Sequence, residues 1–257
     1  MGAWRRWRDR RTLARRPIPD ALWSATLTHF PFLALLDEAD AQRLRELSTL
    51  FLARKEFSGA QGLVVTDAMA VAIAAQASLP ILNLGLGWYD GFVGIVIHAS
   101  EVLARREVMD EDGVVHHYDE PLSGEAMEGG PVTLSWQDVA DAGSSAEWGY
   151  NVVIHEFAHV LDMRDGQANG VPPLPTRAAR TEWQAMLNAS YEAFCATVDA
   201  GHETLLDPYG TEAPSEFFAV ACEAFFVAPR DLQAEHAEMY SLLAGFFQQD
   251  PAARTQP

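Results

Sequence analysis

The chain has 257 residues, 49% of them hydrophobic, which is enough for one sizeable core. Its formal net charge of −18 makes the surface strongly acidic, so nucleic acid is not expected as a direct partner. Two cysteines do not supply a disulfide framework, and this fits a reducing, cytoplasmic location.

The start of the chain is the basic exception. Residues 1–16 contain seven arginines and one aspartate. Pro17 and Pro19 interrupt the chain where the apolar part of a secretory signal would begin, so no signal is predicted. We expect residues 1–20 to form a poorly ordered basic arm; the alternative is an arm that docks on an acidic surface of this protein or of a partner. One domain is predicted over residues 21–248, followed by a tail over 249–257.

The first half of the chain alternates helical and strand patterns. In chain order these are a helical region 20–55, strand 57–65, helix 68–77, strand 92–98, a hairpin or loop over 110–130, and strand 130–136. Residues 68–88 carry no formal charge and are long enough to span a bilayer, but they include polar residues, glycines and many alanines. We therefore predict buried core there and no membrane partner.

The second half is mainly helical. In chain order it reads as loop 137–147, helix 148–163, loop 164–176, helix 177–198, turn 207–210, helix 214–227 and helix 231–247. The predicted class is therefore α+β, mainly helical, with a small sheet that precedes helix 148–163. Strand 130–136 either pairs with an extended substrate at a sheet edge or is an ordinary internal strand.

The segment from His155 to His159 reads His-Glu-Phe-Ala-His. Two histidines four residues apart lie one turn apart on the same helix face, where both imidazoles can bind one zinc ion. Glu156 would then lie beside the metal and take a proton from its water. The flanking residues are apolar, so the helix should be buried, and burying these polar groups without partners would be costly. The pattern indicates a metallopeptidase rather than a solvated surface helix.

A catalytic zinc site needs a third protein ligand. A longer histidine motif is excluded, because Asp162 and Asp165 occupy its glycine and histidine positions. Glu216, early in helix 214–227, is the preferred third ligand, and Glu223 lies seven residues later on the same stripe. Glu223 is either the ligand instead or an acceptor from a ligand histidine, and Asp162 is a second candidate for that acceptor role. With Asp162 as a fourth ligand the site would be closed and structural.

Several segments together make the chain resemble the MtfA (Mlc titration factor A) family of bacterial zinc peptidases. They are residues 55–62, 73–77, 88–91, 130–136, 151–162 and 207–226. The resemblance covers roughly residues 25–245 and implies a zincin-like (gluzincin) domain. It implies one Zn²⁺ per chain on His155, His159 and Glu216, with Glu156 as the catalytic base. It also implies a role for Tyr209, because the similar catalytic domain of anthrax lethal factor has a tyrosine at the same spacing.

The resemblance implies two kinds of function. The first is an aminopeptidase-like enzyme that hydrolyses peptides or protein substrates. The alternative is a regulatory protein that sequesters a transcriptional repressor like Mlc, with peptidase activity secondary or modulated by the partner.

Overall fold

The computed structural model describes residues 3–109, 115–127, 129–145 and 149–254. Helices predominate, as predicted. The α-helices are α1 (Ala3–Arg15), α2 (Asp20–His29), α3 (Glu38–Leu52), α4 (Asp67–Ser78), α5 (Trp136–Ser145), α6 (Val152–Asp162), α7 (Arg177–Asp199), α8 (Pro214–Val227), α9 (Pro229–Glu235) and α10 (Ala237–Phe247). The strands are β1 (Glu56–Gly59), β2 (Gly94–His98), β3 (Val102–Met109), β4 (Val115–Leu122), β5 (Gly124–Ala126) and β6 (Val132–Ser135).

The small sheet expected before the motif helix has four strands in the order β1-β2-β6-β5. The first three strands run parallel, and α4 connects β1 to β2, as parallel neighbours require a crossover. β5 pairs antiparallel with β6. β6, the predicted strand 130–136, is therefore internal, and its interpretation as a substrate-pairing edge strand is wrong. β3 and β4 form a separate antiparallel pair.

α4 lies in the middle of the core and fixes the motif helix. Its Ala-rich sequence is buried, which allows α3 and α6 to pack close to its backbone. Thr66 begins α4 by accepting a hydrogen bond from the Met69 N–H at 3.3 Å. The Gln76 side-chain oxygen Oε1 accepts from Asn151 Nδ2 at 2.7 Å, and Asn151 is the residue that caps the start of α6.

Some predicted boundaries differ from the structure. Residues 137–145 lie in α5 rather than in a loop, because Val139 and Ala142 are buried on one face of a helical turn; residues 146–147 lie outside the described residues. The motif helix begins at residue 152, where Asn151 caps it, and residue 148 lies outside the described residues. Helix 231–247 divides at His236 into α9 and α10. The predicted strand 57–65 ends at residue 59.

The beginning of the chain also differs from expectation. Residues 3–15 form α1, not a poorly ordered arm, and residues 1–2 lie outside the described residues. Arg5 donates two hydrogen bonds to the Asp90 carboxylate, at 3.0 and 2.9 Å. Asp9 accepts from Arg54 at 2.6 Å. These contacts hold α1 against the body of the domain. Within the described residues, no helix is long and apolar enough to cross a membrane.

Candidate active site

α6 presents its two histidines at the edge of the core. The Asn151 side chain caps the helix by accepting from the Ile154 N–H at 2.9 Å. Phe157 is fully buried on the opposite side, with its ring centroid 4.9 Å from Tyr89 and 5.6 Å from Phe51. This packing fixes the rotation of α6 about its axis. The side chains of His155 and His159 are left 12% exposed, which suits groups that must meet a substrate.

α8 places two carboxylates on the two ring nitrogens of one histidine. Glu216 Oε2 lies 3.1 Å from His155 Nε2, and Glu223 Oε1 lies 2.7 Å from His155 Nδ1. The two glutamates share a helix face because they are seven residues apart. The phenylalanines between and beside them, such as Phe217 and Phe225, are buried and hold α8 in place. Of the two acids, Glu216 therefore faces both histidines, and Glu223 lies behind His155.

His155, His159 and Glu216 form a compact triangle of ligand atoms. The Nε2 atoms of the two histidines are 3.2 Å apart, and each lies 3.1 Å from Glu216 Oε2. In a tetrahedral zinc site each ligand atom is about 2.0–2.1 Å from the ion, so the ligand atoms lie roughly 3.3 Å from one another. Two imidazole nitrogens and a carboxylate oxygen are also ligands that zinc prefers. The triangle therefore fits a zinc ion. Among the described residues, His155, His159 and Glu216 are the histidine, cysteine or acidic side chains that lie close enough together to hold a metal ion. Asp162 is not part of this group.

The electrostatics of the triangle favour a positive charge. Burial disfavours a charged His155, but Glu223, Glu216 and Glu156 together raise the pKa of this histidine well above its usual value. Burial opposes ionisation of Glu216 as well, but the hydrogen bonds from His155 and His159 lower the pKa of this carboxyl far below its usual range. A bound cation satisfies the same carboxylates without protonating the histidines.

Glu156 is buried beside the triangle and faces the edge strand. Burial raises the pKa of its carboxyl to about 7, although the two histidines oppose this shift. Within the described part of the chain, Glu156 Oε2 is buried without a hydrogen-bond partner. A Cβ atom placed on Gly124 of β5 would lie 2.5 Å from Glu156 Oε1, so the carboxylate rests directly against the glycine backbone. A buried carboxyl with a pKa raised toward neutrality and one oxygen left without a hydrogen bond is well suited to exchange protons with a reactant.

The two expected supporting acids make different contacts. Glu223 accepts hydrogen bonds from His155 Nδ1 and from the Asn151 backbone N–H, and burial raises the pKa of its carboxyl. Asp162 is fully buried and accepts from the Gly170 N–H at 2.7 Å, so it fastens the loop that follows α6. Its role as an acceptor from a ligand histidine remains a prediction.

Tyr209 lies at the mouth of a cavity of about 240 Å³ beside the triangle. Its ring centroid is 6.1 Å from that of His155, and the residue is 39% exposed. Glu156 and Asp207 contribute acidic groups to the cavity wall, while Val152 and Val220 contribute apolar surface. At about 30 Å³ per water, the cavity holds on the order of eight water molecules, which is room for one side chain rather than for a folded partner.

Three features of this site were not singled out from the sequence. Gly124 lies in a three-residue strand, which is too short to recognise by alternation. Asn151 carries a visible signal, since it is a good helix cap directly before an apolar run. Asp207 begins a 3₁₀ helix at Pro208–Thr211 by accepting from the Tyr209 N–H at 2.9 Å, and the Asp-Pro pair reads only as a turn.

Comparison with known proteins agrees with this geometry. The family described as glucose-regulated metallo-peptidase M90 matches residues 4–248. The protein named Mlc titration factor A from Pectobacterium atrosepticum is 37% identical over 235 residues, which cover 90% of this chain and 87% of that protein. The protein of the same name from Yersinia pestis is 37% identical over 237 residues, covering 91% of this chain and 86% of that protein. The resemblance to the MtfA family drawn from the sequence is confirmed.

Proposed function

Because the chain belongs to the M90 family of metallopeptidases, we propose that it is a zinc-dependent aminopeptidase. In this proposal His155, His159 and Glu216 hold one zinc ion, and Glu156 is the general base. The observation that carries it is the triangle of ligand atoms on α6 and α8, beside which one buried carboxylate oxygen, Glu156 Oε2, has no hydrogen-bond partner among the described residues. The free cysteines Cys195 and Cys222 support a cytoplasmic location.

A zinc ion held by the triangle would lower the pKa of a bound water toward neutrality and polarise the carbonyl of the scissile bond. Glu156 accepts the proton of the attacking water and delivers it to the leaving amine. Because its pKa is about 7, this carboxyl can both accept and release a proton near neutral pH. Glu223 accepts a hydrogen bond from His155 Nδ1–H, which leaves the lone pair on Nε2 and directs it toward the triangle. Tyr209 donates a hydrogen bond to the oxyanion that develops on the carbonyl.

The substrate backbone pairs with β5 in this proposal. β5 is at the end of the strand order and packs beside α6, so an extended peptide added to it would pass Glu156. The absence of a side chain at Gly124 leaves the Glu156 carboxylate room at the point of closest approach.

The cavity beside the triangle supports action at a peptide N-terminus. It has room for one residue, and its wall carries Glu156, Glu223 and Asp207 together with Tyr209. Glu223 is bonded to His155 and Asn151, and Glu156 is assigned to proton transfer. Asp207 is exposed, and although its Oδ1 accepts from the Tyr209 N–H, its negative charge can attract a free α-ammonium group. A small cavity lined by acidic groups favours a substrate that carries a free, positively charged α-amine.

The test of this specificity compares alanyl- and leucyl-nitroanilides with their N-acetylated forms. We expect the zinc-loaded protein to hydrolyse only the free-amine substrates. Asp207→Asn should raise KM for them by about tenfold, the cost of one charge-assisted contact, with little change in kcat. Equal hydrolysis of acetylated substrates would assign an endopeptidase instead.

A second proposal is regulatory binding of a transcriptional repressor like Mlc. The relatives' name, Mlc titration factor A, favours it. Chelation separates the two functions, because hydrolysis should stop without metal while binding to purified repressor should persist.

A further inference from the structure

α1 has two faces of different character. Arg5 and Asp9 point toward the body and make ion pairs with Asp90 and Arg54, at 2.9 and 2.6 Å. Leu13, on the same side, is half-buried. These contacts hold the helix against the domain and fix which residues it presents outward.

The outward face combines tryptophan and arginine. Trp4, Trp7, Arg8, Arg11 and Arg15 recur at spacings of three and four residues, so they share one stripe of the helix. Trp4 is 69% exposed and Trp7 is 52% exposed. The Arg8 guanidinium lies 5.4 Å from the Trp4 ring centroid, and Arg11 lies 5.4 Å from that of Trp7. Each exposed tryptophan ring therefore lies beside the positive charge of an arginine.

We propose that this face, defined by residues 4, 7, 8, 11 and 15, docks on the surface of an anionic lipid bilayer. Arginines are attracted to acidic headgroups, and the amphipathic rings of tryptophan prefer the boundary between headgroups and acyl chains. The rest of the chain is strongly acidic, since the net charge is −18 in spite of seven arginines among residues 1–16. The bilayer therefore repels the body and attracts α1, which makes contact one-sided and sensitive to salt.

The two tryptophans distinguish this occupant from other polyanions. Arginines attract any polyanion, and the two exposed tryptophan rings on the same face add the preference for the boundary between headgroups and acyl chains that a bilayer offers. The contact is peripheral and reversible, because α1 is short and polar and stays attached to the folded domain. It departs from the sequence-based prediction of no membrane partner, which considered only spanning segments.

The test is co-sedimentation of the full chain with large vesicles of phosphatidylcholine, with and without 30% phosphatidylglycerol, while Trp fluorescence is followed. We expect binding only to the anionic vesicles, a blue shift of the emission, and loss of binding in 0.5 M salt. Trp4→Ala/Trp7→Ala should weaken the partition coefficient at least tenfold and abolish the shift. Arg8→Glu/Arg11→Glu should abolish binding.

The matched control is Arg177→Glu/Arg180→Glu, which changes the net charge equally at the exposed start of α7 and should retain most of the binding. Circular dichroism and hydrolysis confirm that each variant is folded. No binding to anionic vesicles, or a loss as large in the control as in Arg8→Glu/Arg11→Glu, would overturn the proposal. Binding to poly-glutamate but not to vesicles would overturn it in favour of an acidic protein partner.

Discussion

At the residue scale, the close approach of Gly124 to Glu156 makes a precise test of the proposed base. Gly124→Ala places a methyl carbon only 2.5 Å from Glu156 Oε1, closer than the two atoms can approach, so the carboxylate must move. Since a misplacement of about 1 Å can cost 10²-fold in rate, we expect kcat to fall by about that factor, with bound zinc unchanged. Steady-state kinetics and metal analysis measure the two effects.

Gly245→Ala is the control for that substitution. Gly245 lies in α10, a helix that carries none of the site residues, with open space around its Cβ position. It should keep full activity and gain about 0.5–1 kcal/mol of stability. Wild-type kcat in Gly124→Ala would mean that Glu156 has freedom to adapt, and would weaken its assignment as a positioned base.

The sequence could predict the histidines and Glu156 because their spacing within one helix already determines their arrangement. It could not decide between Glu216 and Glu223. Seven residues of helix place both on one stripe, and only the packing of α8 on α6 shows which acid meets both histidines. That choice depends on tertiary contacts and carries no local signal.

At the element scale, Glu223 joins the start of α6 to the middle of α8 from behind His155. Glu223→Gln should lower zinc affinity by about 10–100-fold, because His155 loses the acceptor that orients it. Glu216→Ala should remove stoichiometric zinc altogether, because a ligand is lost. Competition with a fluorescent chelator measures both affinities. If Glu223→Gln lost more zinc than Glu216→Ala, the roles of the two acids would be exchanged.

Lys55 links the end of α3 to the segment before β2 and makes stability depend on pH. Its ammonium group donates to the carbonyls of Tyr89 and Phe92, at 2.5 Å each. Burial lowers its pKa from the ordinary 10.5 to about 8. Between these values the unfolded chain binds more protons than the folded one, so the free energy of unfolding contributed by Lys55 rises with pH, at up to about 1.4 kcal/mol per unit.

Urea unfolding at pH 7.5–10 measures that contribution as the difference between wild type and Lys55→Met. We expect the difference in the free energy of unfolding to grow in favour of wild type as pH increases through 8. A difference that is constant across the range would show that Lys55 keeps its ordinary pKa in the folded protein.

The element boundaries that depend on tertiary contacts were the part of the fold that the sequence predicted least well. α5 has a polar composition, and only its contact with the sheet and α6 buries Val139 and Ala142. Strand β6 carries a clear pattern, but whether it is internal depends on β5, which has only three residues. α1 reads as a charged tail until its pairing partners Asp90 and Arg54 are placed beside it.

At the scale of the whole molecule, the proposed metal site joins two helices that are separated in the chain by α7. α6, which packs beside the sheet, brings the histidines, and α8 brings the glutamates. The fold class and the order of the helices and strands follow from the periodicity of apolar residues. The α+β fold with a small sheet before the motif helix was therefore predictable. The meeting of α6 and α8 was predictable only through the family resemblance.

The most direct measurement of the central claim is hydrolysis of alanyl-nitroanilide by the zinc-loaded protein, beside the same protein treated with chelator and beside Glu156→Gln. We expect activity in the first sample and its loss on chelation, with recovery when zinc is restored. Glu156→Gln should keep one zinc per chain and lose 10²–10⁴-fold in kcat, the usual contribution of a general base. Turnover by Glu156→Gln at the wild-type rate, or turnover that survives complete removal of metal, would contradict the account.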